Sequence, residues 1–178
     1  MKMINLEDIG NYESTLIVEE SKSLQATINN VLRVIQDKPV IYIALIKPYV
    51  SILPRLEGDG IETDKIFFVD CVTEFAGGDV SEKQGNVIFI HEPTDLTNIT
   101  ITVTQFFEKI PGKKYILIDA LRILTIYNTE DVVSRFMQSI LEKASRNDAK
   151  VVAMTTKGKH TSLTNKVSQF FEKIMEVE

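Results

Sequence analysis

The chain has 178 residues, 44% hydrophobic and 25% charged, with a net charge of −5 and one cysteine. That length suits one globular domain, residues 1–178, and the few prolines and glycines without a low-complexity run exclude a disordered chain. The lone Cys71 excludes an internal disulfide, and an acidic balance makes nucleic acid an unlikely partner, since such binding needs clustered Lys and Arg against phosphates.

Met1–Asp8 lacks the apolar core of a signal peptide, and the longest apolar runs, such as Val40–Ile46, are far too short to span a bilayer. A cytoplasmic protein without membrane contact is expected. The first strand is expected over Thr15–Val18, followed by a helix whose apolar face is Leu24, Ile28, Val31, Leu32 and Ile35. A second strand over Val40–Leu45 leads into a shorter helix marked by Pro48, Val50, Leu53 and Leu56. Further strands are expected over Ile66–Val72 and Val87–Ile90, joined by an exposed loop over Glu74–Asn86.

Leu96–Thr104 is β-branched and alternating, which favours a strand by propensity. Ile99, Val103, Phe106, Phe107 and Ile110 nevertheless share one helical face, with Asp95 or Thr97 as a cap, so a helix is expected. Tyr115–Asp119 reads as a strand, and Thr129-Glu130-Asp131 opens a long helix with an apolar stripe from Val132 to Ala144. Val151–Met154 and Ile174–Val177 complete the strands. The hexapeptide Gln-Phe-Phe-Glu-Lys-Ile occurs at 105–110 and 169–174 without flanking similarity, and both copies read as helix ends packing two phenylalanines. Continuous apolar strands alternating with helices predict an α/β fold with a mainly parallel central sheet between helical layers.

A phosphate loop, G-x-x-x-x-G-K-[ST], sits between a strand and a helix; its glycines turn amides toward the phosphates, its Lys meets their charge and its hydroxyl holds Mg²⁺. Laid without gaps after Leu16-Ile17-Val18, the pattern puts Glu19 and Leu24 at the glycines, Gln25 at the lysine and Ala26 at the hydroxyl position. Glu20, Ser21, Lys22 and Ser23 fill the interior. Every chemical requirement fails: Glu19 and Glu20 would meet a polyphosphate with like charge, and Lys22 lies three positions early.

The rest of the chain, from Ser14 to Glu178, resembles the RecA/KaiC-like branch of the P-loop ATPases. It resembles in particular archaeal KaiC-like proteins, which often lack an intact ATP site. "PVIYIALIKPYVSIL" looks like that family's second strand and helix, "IETDKIFFVDCVT" like its third strand ending at Asp70, and "IFIHEPTDLTNITI" like a segment of its archaeal members. "KKYILIDALRILTIYNTEDVVSRFMQSI" looks like its Walker B strand, turn and long helix, which places the Walker B acid at Asp119. The resemblance implies a three-layer αβα sandwich with a RecA-like core. It also implies a catalytic acid at the end of the second strand, where this chain has Ile46 or Lys47. With Ala26 in place of a hydroxyl, Asp119 has little Mg²⁺ to hold, and its alternative role is to cap backbone N–H groups at a strand end.

The carboxyl edge of the sheet, where open α/β sheets hold ligands, should carry Asp70, Cys71, Glu74, His91, Glu92, Asp119 and Lys157. Neither H-x-x-x-H nor C-x-x-C spacing is present, so no metal is expected. Cys71, beside Asp70, reads as a buried small hydrophobe. Lys157-Gly158-Lys159-His160 projects from the same edge, as a solvated loop or, as the resemblance implies, a loop reaching a neighbouring subunit. Lys47, Asp70, Lys157 and Lys159 therefore form the candidate ligand edge. Two functions stay open. One is a non-catalytic interaction, assembly or regulatory module with a protein partner or its own copies, no cofactor and no ATP. The other is a domain binding a small molecule or nucleotide, with weak ATPase activity at most, through Lys22, Lys47, Asp119 and Lys157.

Overall fold

All seven expected strands form in a computed structural model that describes residues 5–81, 85–158 and 162–177. They are β1 (Ser14–Glu19), β2 (Val40–Ala44), β3 (Ile66–Asp70), β4 (Val87–Phe89), β5 (Lys114–Ile118), β6 (Ala149–Thr156) and β7 (Lys173–Glu176). They join into one sheet in the order β4-β3-β2-β5-β6-β1-β7. Each pairing is parallel, so the sheet expected to be mainly parallel is wholly so among the described residues.

Alternation along the strands sorts the apolar side chains into two cores. Leu16, Ile41, Ile43, Ile116 and Ala153 face one layer, while Ile17, Tyr42, Leu117, Val152 and Met154 face the other. Helices α1 (Leu24–Ile35) and α2 (Tyr49–Gly58) cover the second face. Helices α3 (Leu96–Lys109), α4 (Glu130–Ser145) and α5 (Ser162–Ser168) cover the first. Burial on both faces explains why β1, β2 and β5 are buried along their whole lengths.

The ambiguous 96–104 segment is helical. Asp95 accepts from the Asn98 amide at 3.0 Å, capping α3. The threonines fit because their hydroxyls bond back along the helix, Thr100 to the Leu96 carbonyl at 2.8 Å and Thr104 to the Thr100 carbonyl at 2.9 Å. Ile99, Val103, Phe106 and Phe107 are buried on its inner side. Helical spacing of apolar residues has outweighed β propensity.

The repeated hexapeptide needs a correction. Its first copy ends α3 as expected, but α5 stops at Ser168, and the second copy runs through a turn into β7. Pairing with β1, Thr15 opposite Lys173 and Leu16 opposite Ile174, claims its last two residues for the sheet. Two shorter features were not foreseen: a 3₁₀ turn at Leu6–Asn11 that buries Ile9, and another at Leu121–Ile126 after β5. The loop expected over 74–86 is exposed for most of its described residues, with 82–84 outside them.

The route of the chain positions the site. From β2 it crosses by α2 to β3 on one face, whereas from β5 it crosses by α4 to β6 on the other. Beyond the ends of β2 and β5 the two connections diverge, leaving a crevice at the carboxyl edge where the strand order reverses.

Candidate functional site at the carboxyl edge

A cleft of about 620 Å³ occupies this crevice. Ser21, Leu24 and Gln25 reach it from the β1–α1 corner, Ile46 and Lys47 from the end of β2, and Thr156 from the end of β6. The turn after β5 adds Ala120, Arg122, Ile123, Thr125 and Ile126. Two cations line the cleft and none of the described lining residues is a carboxylate.

That turn was not singled out from the sequence as a source of site residues. In its 3₁₀ winding Leu121 and Leu124, three apart, are buried, which turns Arg122, Ile123, Thr125 and Ile126 outward to the cleft. The apolar spacing was visible, but not the side of the sheet on which the turn lies. Arg122 also lies against Gly158: a methyl group placed there would come within 2.0 Å of the guanidinium Nη1. Glycine is what lets the arginine cross the end of β6.

The β1–α1 corner has the length of a phosphate loop. β1 ends at Glu19, α1 begins at Leu24, and the four residues between close with the Ser23 amide donating to the Glu20 carbonyl at 3.1 Å. Ser23 precedes the helix without a side-chain cap bond. Glu20, Lys22 and Ala26 are exposed and do not line the cleft. Gln25 lines the cleft and donates to Asn29 at 3.0 Å.

Glu19 corrects an expectation. Its side chain does not point at the cleft; strand alternation sends it to the α1 side of the sheet, with the residue 1% exposed. There its Oε2 has no hydrogen-bond partner among the described residues. Its carbonyl accepts the Lys157 amide at 2.8 Å, tying β6 to the corner.

Asp119 lies at the end of β5, buried below the cleft and next to Ala120. Its Oδ1 accepts the Leu45 amide at 2.9 Å. Burial pushes its carboxyl up to about 7, against the pull of hydrogen bonds from the Leu45 and Ile46 amides and the Tyr42 hydroxyl. Tyr42 is raised in turn, by burial and then by the Asp119 charge.

Asp70 does not reach the cleft. Fully buried, it accepts the Tyr49 amide at 2.7 Å, the Val72 and Thr73 amides at 2.8 and 2.9 Å, and the Thr73 hydroxyl at 2.5 Å. Cys71 is buried beside it, its thiol raised by desolvation and the nearby aspartates. His91 and Glu74 form an exposed pair at 2.9 Å that lifts the imidazole. Lys157 is half-buried, next in the chain to Thr156; Lys159 lies outside the described residues. The structure thus brings Ser21, Leu24, Gln25 and Lys47 to the cleft with Asp119 beneath, and leaves Asp70 elsewhere.

The strand order and the two helical faces give an α/β fold that matches RecA-like structural neighbours. The chain belongs to DUF7090, a family of unknown function whose model matches residues 55–178. No curated protein matches it. Among solved structures it is similar to the uncharacterized protein PH0321 from Pyrococcus horikoshii, described in complex with an unknown peptide. That likeness has a TM-score of 0.68 at 14% identity, over 93% of this chain and 77% of that one. It is also similar to the KaiC-like protein PH0186 from Pyrococcus horikoshii OT3, with a TM-score of 0.63 at 10% identity, over 94% and 73% of the two chains. A third solved structure, an ATPase domain, gives 0.60 at 14% identity, over 94% and 70%. At these identities the likeness is one of fold. No helix among the described residues is long and apolar enough to cross a membrane.

Proposed function

We propose that this chain is one RecA/KaiC-like domain, residues 1–178, that has no ATPase chemistry and works by binding protein, as an interaction, assembly or regulatory module. The observation that carries the proposal is the β1–α1 corner. It keeps the length of a phosphate loop and offers Glu19, Leu24, Gln25 and Ala26 where glycines, lysine and hydroxyl are needed.

The residues present do not fit a magnesium nucleotide. Leu24 is a buried wall where close backbone approach to a phosphate is required. Asp119, the one acid at a metal-binding position of the fold, is engaged by the Leu45 and Ile46 amides and the Tyr42 hydroxyl. Ile46 and Lys47 occupy the place of a catalytic acid, and neither removes a proton from water at neutral pH. The uncharacterized structural relative held with a peptide supports a protein-binding role for this fold.

Isothermal titration with Mg·ATP, beside a phosphate-release assay, tests the reading. No saturable heat and no release above background are expected; a one-to-one isotherm or steady turnover would overturn it. A second reading, a small-molecule or nucleotide site, rests on the cleft, whose volume of about 620 Å³ lies in the range of ligand pockets. A panel of metabolites and nucleotides separates the two, since a ligand bound only by the native state raises the melting temperature.

A further inference from the structure

The cleft differs from the rest of the surface in two ways. The chain is acidic, with a net charge of −5, yet this concavity presents Lys47 and Arg122 and no carboxylate among its described lining residues. Its cations are also unspent: no ion pair with Lys47 or Arg122 exists among the described residues, although both are half-buried. The Arg122 guanidinium lies against Gly158, at the end of β6. A planar guanidinium is suited to two parallel bonds with a carboxylate, which a lysine ammonium cannot make.

Beside these cations the lining mixes Ser21, Gln25, Thr125 and Thr156 with an apolar wall. Ile46 is 38% exposed and Ile126 66% exposed, and both line the cleft with Ile123. The apolar surface continues past its mouth through Tyr127 and Phe75, whose rings meet edge to face at 5.5 Å. A small anion would leave this wall wet. An extended occupant with bulky apolar groups next to an acid would cover it.

We propose that the cleft receives an acidic linear peptide, one carboxylate taken by Arg122 and Lys47 and a neighbouring apolar side chain laid against Ile46, Ile123 and Ile126. The assignment rests on the interaction-module reading and supplies the chemistry of its partner. Charge complementarity favours an acidic segment over a basic one, and the exposed isoleucines favour a peptide over a free anion.

Fluorescence anisotropy with the full chain tests it, using labelled short peptides of one leucine content that carry Glu, Gln or Lys at the same positions. A fourth peptide has Glu with Ser in place of Leu. The Leu/Glu peptide should bind about tenfold more tightly than the Leu/Gln peptide, because a charge-assisted pair is lost. The Leu/Lys and Ser/Glu peptides should bind more weakly still. Arg122→Gln should cost the Leu/Glu peptide about tenfold and leave the Leu/Gln peptide unchanged. Gly158→Ala, which displaces the guanidinium without removing its charge, should cost about threefold.

Equal binding of the Glu and Gln peptides, indifference to Arg122→Gln, or no saturation with any peptide would overturn the assignment. A parallel Mg·ATP titration keeps the two ideas apart. If it stays flat while peptide binding fails, the partner chemistry is wrong and the non-catalytic reading stands. If Mg·ATP binds and Arg122→Gln abolishes that binding, both fall.

Discussion

Asp70 and Asp119 end the two strands that flank β2, and both reach back to the connection between β2 and α2. Asp119 takes the Leu45 amide from one side and Asp70 the Tyr49 amide from the other. Between these anchors stand Ile46 and Lys47, two residues that line the cleft. The aspartates differ in what surrounds them. Asp70 is enclosed by donors of its own loop and α2. Asp119 lies where the connections part, desolvated below the cleft, with its carboxyl near 7. The same residue type at equivalent strand ends is thus an anchor in one place and a carboxyl poised between charge states in the other.

Removing Asp70 should do the most damage. Asp70→Ala leaves three amides and a hydroxyl in a buried site without their acceptor, and we expect a loss of about 4 kcal/mol. Urea denaturation should show a lower midpoint at unchanged slope. A loss below about 1 kcal/mol would mean that solvent replaces the carboxylate, and the contrast with Asp119 would fail.

For Asp119 the expected effect depends on pH. Its folded value near 7 lies above the unfolded carboxyl value of about 4, so the native state keeps a proton that the unfolded chain has released. This contribution to stability is fully present below about pH 4 and is lost as pH rises through 7. Asp119→Asn keeps an acceptor for the Leu45 amide and has no proton to lose. Relative to the variant, the wild type should lose about 1 kcal/mol per pH unit, or about 2 kcal/mol between pH 5 and pH 7. Parallel stability curves for the two proteins would remove the claim that Asp119 is strained by burial.

Glu19 sharpens the comparison as a carboxylate with neither device. Its Oε2 is buried without a partner among the described residues, so Glu19→Met, which leaves no polar atom there, should raise stability by about 1 kcal/mol, seen as a higher melting temperature. Gly158→Ala comes last: only the end of the Arg122 side chain has to move, and the expected cost to stability is under about 0.5 kcal/mol.

These contrasts also mark what could be read from the chain. The layered α/β architecture was legible because β1, β2 and β5 are continuous apolar runs and α1, α3 and α4 carry apolar stripes at helical spacing. The 96–104 segment was decided by the spacing of Ile99, Val103 and Phe106 rather than by their β-branching. Helix α5 could be given no bounds because only Leu163 and Val167, one turn apart, mark it. The second hexapeptide misled because a partner strand far away in the chain, β1, sets its conformation. The cleft was legible on its β1 and β2 sides, at Ser21, Leu24, Gln25 and Lys47. Arg122 was not, because its position depends on Gly158 at the end of a different strand. A sequence records such a pair without recording that they touch.

The central claim is that the β1–α1 corner and the Asp119 carboxyl below the cleft offer a nucleotide no seat. A ¹⁵N–¹H correlation spectrum titrated with Mg·ATP tests it residue by residue. The account predicts that the amides of Glu20–Ala26 and of Asp119 and Ala120 stay in place up to millimolar nucleotide. Saturable shifts at both groups of amides, following one binding curve, would contradict it.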